Sequence, residues 1–437
     1  MCGVHEVGGT GYRSSRASAA AHPPRPRKMQ TRATSNLLMT IVGGGISLVP
    51  LPYAVRGSRI PTATGIILLS ALWCVYSCEA LLFASRRCNR ATYQSCANAV
   101  LGGFGGLMVQ VTVVLNSFGI SVSMLDVYAD VAPSFIRCSR TWCLIGAGTV
   151  LTPIVMLVRR IEWLAPLSLL AVAFVFAFIG FVVVRAAIGP LFTPVTTPPS
   201  FDDVLETTSV VMLAFVCQFN LLPVYASLAP LAERRPAVMT RVVGVACGTA
   251  ALLYATIGVL GYLTFGEAGT SGDALEDYSH SASGLVFCDV MALGQLLTLP
   301  LLSLEGVHNV AELLAQLSAR FTRPSITAGD TTVQLLSRQA SSATTHAPGA
   351  PRALVLFTGL LWCVSATTVA ILVKDTSKVQ ALVGASCAAP LMLVFPVAMA
   401  ARASVDRGHA IVHYLALLLG VTITLLCTYS SIRAFVG

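Results

Sequence analysis

The chain has 437 residues, 55% of them hydrophobic and 11% charged, with a mean hydropathy of +0.77. Soluble domains carry roughly 25% charge, and no soluble core absorbs this many apolar stretches of about 20 residues, so the composition describes a polytopic membrane protein. The net charge of +9 does not mark a nucleic-acid binder, because the basic residues sit in short segments between spans, where they set orientation.

Residues 1–35 are polar and basic, with His22-Pro-Pro-Arg-Pro-Arg-Lys28 among Gly, Ser and Ala. This reads as a disordered basic cytoplasmic arm, without the pattern of a cleavable signal peptide. Span 1, residues 36–58, is apolar enough to cross but holds Gly43, Gly44 and Gly45, then Pro50 and Pro52. Glycine lowers helix stability and proline removes a donor. In hydrocarbon such a break survives only when buried in protein or facing an aqueous cavity. Span 2 covers 62–84. Span 3 covers 105–129 and carries Asn116, Ser117, Ser121, Ser123 and Asp126. Span 4, residues 142–158, is interrupted by Pro153; span 5 covers 163–184. Cys138 and Cys143 share a predicted outer loop, which leaves a local disulfide open. Span 6, residues 207–229, is the second irregular one, with Gln218, Asn220 and Pro223 inside an apolar run. Spans 7 and 8 cover 242–264 and 284–304. A long polar cytoplasmic segment, 305–351, precedes spans 9 to 11 at 352–373, 379–401 and 411–432.

With the N-terminus cytoplasmic, 20 of the 28 Lys and Arg residues fall in inner segments, so the positive-inside bias places the C-terminus outside or in a lumen. The expected fold is all-α, with 11 transmembrane helices forming one domain over 36–432. Two irregular helices, the first and the sixth, suggest five-plus-five inverted repeats and one extra helix.

Four pieces of sequence carry a family resemblance: Gly43 and Gly45 followed by Leu51-Pro-Tyr-Ala54; Asn116, Phe118 and Gly119; Phe215, Cys217, Asn220 and Leu222-Pro-Val-Tyr225; and Gly258, Gly261, Tyr262, Phe265 and Gly266. In this order the chain resembles the amino acid/auxin permease family of transmembrane amino acid transporters. The resemblance implies an inverted-repeat amino acid carrier in which the unwound part of span 1 and its counterpart in span 6 hold the substrate's amino and carboxylate groups. Coupling in that family is to protons or, in some branches, to sodium. Gln218 stands where many members have a histidine, and glutamine does not titrate.

The candidate substrate residues are therefore Gly43, Gly44, Gly45, Ile46 and Ser47, with Asn116, Phe215, Cys217, Gln218, Phe219 and Asn220 facing them. A zwitterion needs acceptors for its ammonium and donors for its carboxylate, and an unwound helix supplies both from main chain. The same small residues also serve plain helix packing. Asp126 is a candidate for proton coupling or for attracting a cationic substrate, because a carboxylate inside a span is costly unless hydrated or paired. Thr298 could line a cation site, although span hydroxyls also satisfy themselves on their own helix.

The thirteen cysteines show no metal-ligand spacing, so neither a metal nor a cofactor is expected. No hydrolase, kinase or phosphate-loop pattern appears. The reading is a secondary carrier of amino acids, not an enzyme, monomeric and surrounded by lipid, with a coupling proton and sodium as the alternative ion. A non-transporting amino acid sensor on the same scaffold, and a channel, remain the other classes. A plasma membrane and a vacuolar or lysosomal-type membrane are both compatible with the sequence.

Overall fold

The computed structural model describes residues 26–43, 45–157, 165–227, 237–322 and 351–436. Residues 1–25 of the predicted arm, Gly44 and most of the polar segment before span 9 lie outside the described residues. Every regular element among the described residues is helical. Among the described residues, nine helices are long and apolar enough to cross a membrane, against eleven spans expected. The two remaining predicted spans correspond to shorter apolar helices, Ala33–Val42 and Arg140–Met156. The first is short because its glycines end it, and the fourth runs up to residues outside the description.

Helix α1, Pro26–Val42, begins inside the stretch that composition assigns to the arm. Beyond the break, α2 spans Leu51–Ser58. Helix α3, Ile60–Cys88, starts with a proline in its first turn, where no donor is lost. It ends on Asn89 in the left-handed region, whose N–H caps Ser85 O. Helix α4, Tyr93–Ile136, bends at Gly102. Helices α5, Arg140–Leu157, and α6, Ala165–Ile188, follow. Pro153 does not interrupt α5, contrary to expectation. A membrane helix tolerates a lost bond where neighbouring helices cover it.

Helix α7, Phe201–Phe215, opens on a reciprocal capping box between Ser200 and Asp203. Its continuation is α8, Gln218–Ser227. Then come α9, Ala237–Gly269; a short capping helix α10, Ala274–Ser279; and α11, Ala282–Thr322, which carries 18 residues of the predicted polar segment as helix. Helix α12 is Arg352–Leu372 and α13 is Thr376–Val383. The chain then passes through two π-helical segments, Gly384–Ala388 and Pro390–Val394, into α14, Phe395–Ala403. Helix α15, Arg407–Val436, ends the fold.

The π-helical stretch is a third irregular span that the sequence reading missed. A π-turn displaces backbone acceptors from their usual donors, and the buried Tyr93 hydroxyl donates to Leu391 O at 2.8 Å. Burial separates centre from periphery: 67% of the apolar window in Phe201–Ala226 is covered by protein, against 11% in Arg407–Val436. The broken helix is therefore central, and α15 turns Leu415, Leu418 and Leu425 outward, as lipid contact requires. Cys138 and Cys143 are free thiols, the second buried in the first turn of α5.

Candidate functional site

Both irregular spans are discontinuous. In the first, α1 stops at Val42 and a single 3-10 turn, Ile46–Leu48, bridges to α2. Gly43 and Gly45 adopt positive φ, +57° and +84°, which costs any residue with a Cβ. Gly45 N–H still reaches Val42 O at 3.0 Å, and Leu48 N–H reaches Gly45 O at 3.0 Å. A Cβ on Gly45 would run into Met291 Cε and lie 2.9 Å from Val175 Cγ2, so the backbone passes directly against α6 and α11.

In the second, α7 ends at Phe215, Val216 is extended, and α8 restarts at Gln218. Gln218 is fully buried and spans this gap. Its Oε1 accepts from Cys217 N–H at 3.0 Å, and its Nε2 donates to Ser77 Oγ on α3 at 2.8 Å. The side chain thus completes a backbone donor that the break would leave unmade.

One residue ties the two breaks together. The Tyr254 hydroxyl on α9 lies 2.7 Å from Ile41 O and 2.8 Å from Ala214 O. These are carbonyls near the ends of α1 and α7, and one phenolic proton is shared between them. Nothing in the sequence singled out Tyr254, since it sits 213 and 40 residues from its partners. The predicted motifs also meet. Pro52 and Val55 of α2 lie against Gly261 and Gly258 of α9, so closely that a Cβ at either glycine would approach within 3 Å.

Asn116 and Ser117 are buried on α4, which contacts the 3-10 turn of the first break and α8 of the second. Asn116 Oδ1 finds no protein partner among the described residues, and such a buried acceptor calls for water or a ligand. Phe215 and Cys217 are fully buried, while Phe219 and Asn220 are half-buried. Phe215 packs edge-on to Tyr254, with ring centroids 5.2 Å apart. Ser47 is buried at the first break; of Ile46 only the backbone is described, and Gly44 lies outside the description.

The two candidate ion-coupling residues behave differently. The Thr298 hydroxyl bonds carbonyls of its own helix, Gly294 O at 3.1 Å and Gln295 O at 3.0 Å. Asp126 is fully buried and paired to Arg140, Nη2 to Oδ1 at 2.8 Å, while its Oδ2 has no partner among the described residues. The same guanidinium holds Asp130 through Nε at 2.7 Å and donates to Ala370 O at 3.0 Å. A cavity of about 230 Å³ is lined by Asp202, Glu206, Lys378 and Arg433 near α7, α13 and α15, and no residue of either break lines it.

Helix α10 closes one end of the first break, where Ala274 N–H reaches Val49 O at 3.2 Å. Its N-cap, Asp273, accepts from Leu275 N–H at 2.8 Å and is otherwise buried. Burial, with Asp130 adding to it, pushes the Asp273 carboxyl well above the usual carboxylate range. The unfolded chain loses this proton first as pH rises, so stability present at acid pH declines until the raised folded value is passed. Asp273→Asn keeps the cap acceptor and cannot ionise. Thermal unfolding in detergent is expected to match the wild type in acid and to exceed it at neutral pH and above.

The described residues form a bundle of apolar helices long enough to cross a membrane, with two main-chain breaks tied together at Tyr254. The family model described as transmembrane amino acid transporter protein matches residues 28–435, and the chain belongs to that family. It is 28% identical to amino acid transporter AVT6C of Arabidopsis thaliana over 64% of this chain and 70% of that one. It is 25% identical to vacuolar amino acid transporter 7 of Saccharomyces cerevisiae, over 61% and 55% of the two chains. A solved structure of a sodium-coupled sialic acid symporter covers 93% of this chain and 97% of its own at 10% identity, with a TM-score of 0.49.

Proposed function

We propose that this protein is a secondary active carrier of amino acids, working by alternating access in a plasma or vacuolar-type membrane. The observation that carries this reading is the pair of breaks pinned by Tyr254. The carbonyl ends of α1 and α7 meet at the Tyr254 hydroxyl, and helix ends of this polarity suit an ammonium as the N–H starts of α2 and α8 suit a carboxylate. In this reading Gly43, Gly45 and Ser47 on one side and Cys217 and Asn220 on the other grip the zwitterion, and Asn116 Oδ1 adds an acceptor. Phe215 closes the wall beside Tyr254. The substrate is neutral, since the described residues at the breaks carry no charge and Asp126 is engaged by Arg140.

The architecture of this reading has eleven spans, counting α1 with α2 and α5, as five-plus-five repeats and a final helix. The N-terminus is cytoplasmic. The bound ion sets which state the substrate prefers, and that difference gives direction. The ion is a proton, with Asp126 as the titrating group; sodium is the alternative. Proteoliposomes with an imposed pH or sodium gradient and a panel of labelled amino acids test both. Uptake driven by the pH gradient and collapsed by a protonophore is expected. Saturable binding without flux would replace the carrier by a sensor.

Tyr254→Phe removes one donor and leaves two buried carbonyls short, a loss of about 1–3 kcal/mol. The variant is expected to reach the membrane, melt at lower temperature and transport about tenfold more slowly. Wild-type uptake in Tyr254→Phe would show that the shared hydroxyl does not hold the breaks.

A further inference from the structure

Three thiols converge beside the break in the second discontinuous helix. Cys74 and Cys78 lie one turn apart on α3, and Cys217 comes from the break itself. Cys217 Sγ is 3.7 Å from Cys74 Sγ and 3.8 Å from Cys78 Sγ. All three sulfurs lie within 4.8 Å of one another, and all three residues are fully buried. Around an ion with metal–sulfur bonds of about 2.3 Å, the edge of a tetrahedron is about 3.8 Å. Two of the three sulfur separations match that edge and the third lies within 4.8 Å, so side-chain rotation suffices to seat such an ion. Cys247 of α9 is also buried and adjoins Cys74, but it lies outside the group of three. Gln218 Nε2 points at the group, 3.7 Å from Cys74 Sγ and 4.0 Å from Cys78 Sγ, so it can donate to a sulfur that carries negative charge.

We infer that Cys74, Cys78 and Cys217 form a site for a soft, thiophilic cation, Zn²⁺ or Cu⁺, that fastens the break of the second discontinuous helix to α3. Soft sulfur ligands select these ions over hard ones such as Mg²⁺ or Ca²⁺. On binding Zn²⁺, two S–H bonds are lost, two S–Zn bonds form, and two protons leave to water. The site is then neutral overall, and the third sulfur adds a lone pair. With Cu⁺ a single proton leaves. Neutrality matters here because the described surroundings supply no cation and the site lies among apolar helices. Proton release makes the affinity rise with pH.

The sequence reading found no metal spacing, because only Cys74 and Cys78 are near in sequence, at i and i+4 on one helix face. Cys217 arrives from 139 positions beyond Cys78. Metal binding stands on geometry alone. Its consequence, arrest of the flexing break and hence of flux, rests on the carrier reading.

The test uses the full chain, purified in nanodiscs under a non-thiol reductant, and titrated separately with Zn²⁺ and with Cu⁺. Bound metal is measured after desalting by elemental mass spectrometry, and Co²⁺ serves as a probe through its thiolate charge-transfer absorption. One ion per chain is expected from one of the two titrations, with affinity reduced about tenfold or more in Cys78→Ser and in Cys74→Ser. Cys363→Ser, a buried thiol outside the cluster, is expected to bind as the wild type does. Size-exclusion profiles of the metal-free variants confirm that each is folded, and Cys78→Ala provides a second, apolar replacement. Retention of the metal in the Cys74/Cys78 double variant, or no stoichiometric metal in the wild type, overturns the site. So does recovery of a Cys74–Cys217 disulfide in its place. In proteoliposomes the ion is expected to suppress wild-type uptake and to spare Cys78→Ser. Metal bound with full flux overturns the fastening, whereas absence of flux in metal-free wild type counts against the carrier reading and leaves the metal result standing.

Discussion

Gly45→Ala is expected to abolish amino acid uptake while the protein still reaches the membrane. Two costs fall on one methyl group. A side chain at φ +84° costs about 1–2 kcal/mol, and the new Cβ drives into Met291 and Val175, where overpacking typically costs another 1–3 kcal/mol. The strain cannot be relieved by sliding, because Gly45 is held on both sides by backbone bonds to Val42 O and from Leu48 N–H; the flexible end of Met291 can swing aside, so the collision that persists is with the branched Val175. The sum corresponds to a loss of roughly 100-fold or more if it falls on the state that moves substrate. Gly43 provides the control. It also has positive φ, but a Cβ there meets nothing within 4 Å, so Gly43→Ala carries the strain alone and is expected to lose only about tenfold. Gly45→Ala combined with Val175→Ala is expected to recover part of the activity, since it removes the persisting collision and keeps the strain. The measurement is initial uptake per molecule at the membrane, and equal rates in Gly43→Ala and Gly45→Ala would show that close packing at this turn does not matter.

Those same glycines explain how much of the fold could be read in advance. A run of Gly with Pro50 and Pro52 breaks a helix through backbone chemistry, which is local and therefore visible in the sequence. Gln218 and Pro223 gave a weaker signal of the same kind for the second break. Pro153 gave that signal too, yet α5 runs through it, because a lone proline removes one bond and packing compensates. The π-helical stretch at Gly384–Val394 escaped for a related reason: its irregularity resides in how the turns stack, and its composition is that of an ordinary span.

Partners were harder to foresee than positions. Asp126 was legible as an expensive group, but Arg140 was not legible as its counter-ion, since the sequence shows only that a turn lies between them. Gln218 was expected among the residues facing the ligand, and nothing in the sequence signalled that both ends of its amide would bond Cys217 N–H and Ser77 across the break. The long-range contacts of Tyr254 and of the cysteine cluster depend on how α3, α7 and α9 pack, and no periodicity encodes that.

Arg140→Met is expected to leave little folded protein, and the rescue of that defect separates two roles for Asp126. The guanidinium joins α4 to α5 and to the end of α12, and Asp130 extends the link to Thr376 at 3.4 Å. It also places a cation in the first turn of α5, the unfavourable end of a helix for positive charge, so the two carboxylates offset that cost. Removing it strands a fully buried carboxylate, which costs about 3–5 kcal/mol. Arg140→Lys keeps the charge but loses the fork that reaches both acids, and an intermediate melting temperature is expected. Replacing the whole group, Asp126→Leu and Asp130→Asn with Arg140→Met, removes both carboxylates that Arg140 holds and is expected to restore folded yield, as loss of a whole buried pair often does. Uptake by that triple variant then decides the matter. If Asp126 only braces the helices, folding and pH-driven uptake return together. If its carboxyl carries the coupling proton, folding returns while uptake no longer responds to the pH gradient, and Asp126→Asn alone shows the same loss with Arg140 still held by Asp130. An Arg140→Met variant that folds and melts like the wild type would remove the ion pair from any account of how these helices are held.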